Sequence, residues 1–218
     1  MAEKFEKPKG FKKKAENFWY HYKWHVIIIS FFVFAIAVCT VQCATKEKPD
    51  VTVIYFTEQP TPDMALSIME DEIEKYMTDT NGNGEVLCQI VNLSQTSTNG
   101  AANQSVSNTQ RLLAEVASGE NFFFIIDQYG YDYFAKQGLD FYDKKGFLPD
   151  LDGYGWNWNG STIRDALADF QMPKDLYFCV RQLHETNDTK ANAKTKANVE
   201  AILQNIVNGA IATPTDKQ

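Results

Sequence analysis

Twenty consecutive residues without a formal charge, Val26 to Thr45, constrain this chain more than any other feature. The first sixteen read VIIISFFVFAIAVCTV. A helix rises about 1.5 Å per residue and crosses bilayer hydrocarbon with roughly 17 to 25 residues, a length that Trp24 to Ala44 supplies. Trp19, Tyr20, Tyr22 and Trp24 crowd its N-terminal end, where amphipathic rings favour the headgroup layer. Lys7, Lys9, Lys12, Lys13, Lys14 and Lys23 lie on the same side. The positive-inside rule places that side in the cytoplasm and everything after the helix outside the cell.

Two other structures share such a run. A buried core helix would show polar periodicity, and a cleaved signal peptide has a short basic region and a small-x-small cleavage pattern. Neither describes these residues. A lipoprotein site needs a small residue before its Cys, yet Val38 precedes Cys39 and Gln42 precedes Cys43. His21 and His25 have the i, i+4 spacing of a metal pair but lack a third ligand, so they read as interfacial polar residues.

Residues 1–25 hold seven Lys against three Glu, while residues 46–218 hold fourteen Lys and Arg against twenty-five Asp and Glu. The basic end suits anionic lipid headgroups, and the acidic remainder offers no patch for neutralising phosphates, which disfavours a nucleic-acid partner. The expected organisation is a cytoplasmic basic and aromatic segment (1–24), a transmembrane helix (25–45), a linker (46–50), an extracellular α/β domain (51–210) and a flexible tail (211–218). A hydrophobic content of 44% suffices for one sizeable core.

Within that domain, VTVIYFT (Val51 to Thr57), VLCQIVNL (Val86 to Leu93) and FFFIID (Phe122 to Asp127) are apolar enough to be buried strands. Pro60 and Pro62 open a helical stretch carrying Met64, Ile68, Ile73 and Met77. A polar loop is expected from Ser94 to Ser107, then a helix from Asn108 to Ser118 closed by Gly119. After Asp127, a Gln-Tyr-Gly turn leads to a short helix around Tyr131 to Gln137. Beyond lie an irregular stretch, Gly138 to Gly160, a helix Thr162 to Phe170 capped by Ser161, a strand Leu176 to Gln182, and a helix Val199 to Val207. Successive strand–helix units imply right-handed crossovers, hence an open, mostly parallel sheet with helices on both faces.

The succession of strand, helix, strand, a helix ending in AEVASGE and the strand FFFIID resembles the first lobe of bacterial, two-lobed extracellular solute-binding proteins over Val51 to Gln137. The plan also resembles small uncharacterised bacterial single-pass membrane proteins with an extracellular α/β domain. The resemblance implies one lobe facing a ligand near Asp127. This chain is too short for two lobes and carries an anchor where those proteins have a leader.

Ligands of open α/β sheets sit beyond the carboxyl ends of the strands. That singles out Thr57, Glu58 and Gln59, then Asn92 to Gln95, then Asp127, Gln128 and Tyr129. The plainer reading is that these residues cap strands and solvate loops. Asp79-Thr-Asn-Gly-Asn-Gly84 opens like a calcium loop, with Asp79, Asn81 and Asn83 offering oxygens, but the twelfth position is Ile90. An Asn- and Gly-rich turn explains the same letters. Trp156 and Trp158 in GYGWNWNG either stack on a sugar or peptide ligand or fold onto the core. Cys88 and Cys179 are the cysteines beyond the membrane run, which leaves a disulfide open.

No catalytic motif appears. His184 is the one histidine after the membrane run, and neither Gly-x-Ser-x-Gly nor His-Glu-x-x-His occurs. The expectation is a noncatalytic, membrane-tethered binding or interaction domain without a cofactor, serving a transport or envelope assembly. The alternatives are an extracellular enzyme acting on cell-wall or carbohydrate substrates through a carboxylate pair such as Asp150 and Asp152 or Asp140 and Asp143, and a structural scaffold.

Overall fold

A computed structural model describes residues 10–44, 48–95, 102–136, 155–183 and 186–212. Lys7, Lys9, Asp140, Asp143, Asp150, Asp152, His184 and the tail from 213 onward lie outside the described residues. The chain divides into two units, Met1–Glu47 and Lys48–Gln218.

In the first unit, α1 runs from Phe11 to Ala44. Its segment Phe18–Thr40 has 23 residues and a mean hydropathy of 2.0, with none of it buried against protein. At about 1.5 Å per residue that is roughly 35 Å, long and apolar enough to cross a membrane. The helix starts well before the expected boundary at residue 25. After Gly10 the basic segment contains neither Gly nor Pro and holds four Lys with Ala15 and Glu16, so nothing interrupts helical propensity. Phe18 stacks on Tyr22 with ring centroids 5.1 Å apart, and Tyr22 meets His25 edge-on at 6.0 Å. The Thr40 hydroxyl donates to the Ile36 carbonyl at 2.6 Å, so its polarity is absorbed within the helix.

The second unit is a mixed α/β fold around one five-stranded sheet. Its elements are β1 (Val51–Phe56), α2 (Asp63–Glu74), β2 (Cys88–Asn92), α3 (Ala102–Ser118), β3 (Phe123–Ile126), α4 (Gln128–Lys136), β4 (Trp156–Asn157), α5 (Thr162–Ala166), β5 (Tyr177–Val180) and α6 (Lys190–Asn208). The strand order is β2-β1-β3-β5-β4. β1 lies between β2 and β3 with both pairings parallel, whereas β5 runs antiparallel to both β3 and β4.

Alternation along β1 assigns the two faces. Val53 and Tyr55 enter a core closed by Leu66, Met69 and Ile73 of α2, Ile163 of α5, and Val199, Ile202 and Ile206 of α6. Ile54 and Phe56 enter the other, closed by Leu112 of α3 and Phe134 of α4. The expectation of helices on both faces therefore holds.

Several element bounds differ from expectation, and the sequence carries no signal for the direction of β5, which is antiparallel. The five residues of α5 span only about 7.5 Å, too short to carry the chain back along the sheet, so β5 starts near the end where β4 stops. The polar stretch before α3 becomes helical from Ala102 rather than Asn108. No turn separates Asp127 from its helix, because α4 begins at Gln128. α5 is shorter than the expected helix to Phe170 and ends at Ala166. α6 begins nine residues earlier than expected, at Lys190, with the Thr189 hydroxyl accepting from the Asn192 N–H at 3.1 Å.

A Cys88–Cys179 bridge is excluded. Cys88 on β2 and Cys179 on β5 face opposite cores and are three strand spacings apart, about 14 Å. Both are buried free thiols whose ionisation burial strongly opposes.

Candidate functional site

From β1 the chain turns to β2 on one side, and it later returns to place β3 on the other. The carboxyl ends of β1 and β3 thus form a topological switch point, where open α/β sheets present their crevice. Two of the three expected clusters meet there, and the third, after β2, adjoins them.

Its floor is a set of buried hydroxyls that satisfy one another. Thr57 Oγ1 lies 2.8 Å from Ser94 Oγ and donates to the Gln59 carbonyl at 2.7 Å. The Tyr55 hydroxyl lies 2.8 Å from Thr61 Oγ1, and burial pushes its pKa up to about 12. The Gln95 N–H donates to the Thr57 carbonyl at 3.0 Å, and Asn108 Nδ2 to the Ser94 carbonyl at 2.9 Å, which secures the start of the loop after β2. Asn92 is half-buried and its Oδ1 accepts from the Ser94 N–H at 3.1 Å.

Asp127 ties the two main loops together. Oδ2 accepts from the Glu58 N–H at 2.9 Å, and Oδ1 accepts from the Gly130 N–H at 2.8 Å. The second bond is an N-cap: a carboxylate at the positive end of α4 satisfies an otherwise orphaned amide. One lone pair on each oxygen is thereby used, leaving the carboxylate anchored before any ligand arrives. Glu58 and Gln59 are exposed beside it. Tyr129 is 37% exposed; partial burial, then the nearby Tyr133, Glu58 and Asp127, push its phenol pKa upward. Its ring sits 5.8 Å from that of Phe56. Met64, in the first turn of α2 at this end of the sheet, is 70% exposed.

The remaining candidates lie elsewhere. In the Asp79 loop, Oδ1 and Oδ2 of Asp79 accept from the Gly82 and Gly84 amides at 2.6 and 2.8 Å, and the Asn81 and Asn83 side chains accept from the amides of Asn83 and Glu85. These bonds lower the Asp79 pKa, the Gly84 amide contributing most. The same oxygens expected to face a cation thus organise the turn, and no group of three acidic, His or Cys side chains suited to a metal occurs among the described residues. Trp156 is half-buried on β4 and packs edge-on against Phe178, with centroids 5.5 Å apart. Trp158 is wholly buried, donates to the Lys174 carbonyl at 3.3 Å and carries the Arg164 guanidinium 4.9 Å above its ring. It is part of the core and leaves no face for stacking on a ligand.

Sequence reasoning passed over Asp50. Oδ1 accepts from the Thr80 and Asn81 amides at 2.7 and 3.0 Å and from the Thr80 hydroxyl at 3.0 Å, while Oδ2 accepts from the Leu87 amide at 3.1 Å. A lone acid ahead of a strand carries no local signal that its partners lie thirty and more residues away. No protein-family model, curated protein or solved structure matches this chain.

Proposed function

We propose that this chain is a membrane-anchored interaction domain, with α1 spanning the bilayer, its basic end cytoplasmic and the α/β unit extracellular. In this reading the unit corresponds to a single lobe of the solute-binding type and acts as an accessory to a transport or envelope assembly. The observation that carries the proposal is the unburied apolar span Phe18–Thr40, preceded by lysines and carrying a collar of rings, Trp19, Tyr20, Tyr22 and Trp24, in its first two turns. At the switch point the polar floor is internally satisfied while Glu58, Gln59, Tyr129 and Met64 are exposed on the rim. Such a rim suits contact with a protein surface better than enclosure of a charged solute.

The test uses the full chain in bacterial cells. Membranes washed at alkaline pH should retain the protein, and protease added to intact cells should remove the mass from Lys48 onward. Release into the wash, or survival of that mass until the cells are lysed, overturns the proposal.

A further inference from the structure

Among the described residues β2 forms one edge of the sheet, with β1 as its only strand neighbour. An edge of this kind presents outward amides that invite another strand. Here two of them, at Cys88 and Ile90, are occupied by side chains. The Cys88 N–H donates to Glu74 Oε1 at 2.8 Å, and the Ile90 N–H donates to Glu70 Oε1 at 2.5 Å. The spacings are commensurate: four residues of helix advance about 6 Å, and two residues of strand about 6.7 Å. Because α2 runs back against β2, the later glutamate meets the earlier strand residue.

We propose that Glu70 and Glu74 form a latch over the β2 edge that prevents it from pairing with β2 of a second copy of this chain. The occupant follows from symmetry. An antiparallel pair of β2 edges centred on Gln89 sets residue 88 opposite residue 90 of the other copy, so that the Cys88 and Ile90 amides of each copy find carbonyls. The latch itself is costly to hold: burial first, then the charges of Glu74 and Asp71, push the Glu70 pKa upward despite the Ile90 amide. Lys75 pairs with Glu72 instead, and the β2 residue that senses both glutamates is the neutral Cys88 thiol. The four acidic side chains in the second half of α2, Glu70, Asp71, Glu72 and Glu74, also make approach of an identical, like-charged edge unfavourable while the latch is closed.

The inference stands independently of the membrane reading. The test places Cys at the exposed Gln89 in the full chain in detergent micelles, with Cys39→Ser and Cys43→Ser removing the helix thiols. Copper–phenanthroline and air take two electrons and two protons from a thiol pair, and a centred antiparallel pair brings the residue-89 Cα atoms to about 4.5 Å, within disulfide reach. With Glu70 and Glu74 intact, cross-linking should be slight. Glu70→Ala with Glu74→Ala should raise it at least several-fold, Glu70→Ala alone by less, and Glu70→Gln with Glu74→Gln, which keeps both acceptors, little. Adding Ile90→Pro, which deletes an outward amide, should return the alanine pair to the starting level. Circular dichroism checks that each variant is folded. Equal cross-linking with and without the latch in folded variants, or cross-linking that survives Ile90→Pro, overturns the proposal; should the double variant unfold, an unchanged Glu70→Ala single variant does so.

Discussion

The two ends of the sheet are both knotted by an aspartate, yet they are knotted differently. At the amino end, Asp50 gathers four donors from residues 80, 81 and 87 and closes a long polar loop onto the start of β1. At the carboxyl end, Asp127 takes two donors, one from its own helix and one from the loop after β1. Beside the second, large side chains are exposed: Tyr129 adjoins Asp127, and Met64 follows the loop that Asp127 holds, whereas the exposed Ile211 at the amino end belongs to the segment after α6, pinned by the Ala212 amide to the Lys75 carbonyl at 2.9 Å. The amino end is built for closure. The carboxyl end is fixed in shape by fewer bonds and leaves a rim free, which is why the proposed contact surface is placed there.

The strongest challenge to this contrast is Asp50→Ala. Hydrogen bonds to a charged acceptor are worth about 1.5 to 3 kcal/mol each, but water replaces the acceptor for most of these exposed donors, so the expected net loss is about 3 kcal/mol. Chemical denaturation of the full chain in micelles measures it. Asp50→Asn, which keeps one acceptor, should recover part of the loss. A loss below that of Asp127→Ala would invert the proposed roles of the two ends.

Gly130→Ala comes next. A Cβ at this position would lie 2.7 Å from the Phe56 carbonyl oxygen and 3.0 Å from Ile126 Cβ. Exchanging Gly for Ala in a helix gains up to about 1 kcal/mol, but crowding a backbone atom costs about 1 to 3 kcal/mol, so the expected net effect is destabilisation of up to about 2 kcal/mol. A stabilised variant would show that α4 is free to move away from the end of β1, and that the carboxyl end is less fixed than described. Asp127→Ala should lose about 1 kcal/mol, the usual cost of an N-cap, and Asp127→Asn less than half of it, since Asn also caps. If Asp127→Ala left stability unchanged while partner capture fell, the carboxylate would be a contact residue rather than a clamp.

These residues also show what a sequence reveals. β1 and β3 stand out because each is apolar at nearly every position, a property of strands buried on both faces, while β2 is marked by its flanks, Val86, Leu87 and Leu93. β4 has only two residues, and its Trp-Asn pair carries no period to detect. The direction of β5 depends on how short α5 is, which is a tertiary matter. The first half of α6, KANAKTKAN, has helix-forming residues but no apolar stripe, so its helicity was hidden until the Thr189 cap and the packed second half were seen together. At the site, Glu58, Gln59, Asp127 and Tyr129 were reached through the strand-end rule. The latch was missed because acids at i, i+4 on a helix read as a solvent face unless the neighbouring strand edge is known.

The smallest effect expected belongs to Asp79, and it tests whether the amino-end loop is a turn or a cation site. The Asp79 carboxylate has its pKa held low by amide donors led by Gly84. A depressed carboxyl contributes stability that is present above its unfolded value, roughly pH 4, and is lost as pH falls through the lower folded value. Asp79→Asn keeps an acceptor for Gly82 but offers only an amide nitrogen to the Gly84 N–H. The variant should therefore melt slightly below wild type at neutral pH, and the two curves should converge in acid, once the wild-type carboxyl is protonated. Thermal melts from pH 7 down to the acid limit of the fold, with and without millimolar calcium, provide the measurement. A gap that persists in acid would remove charge from the explanation. A calcium-dependent rise in wild type that Asp79→Asn abolishes would mean the loop oxygens serve a cation as well as the turn, and closure would no longer separate the amino end from the carboxyl end.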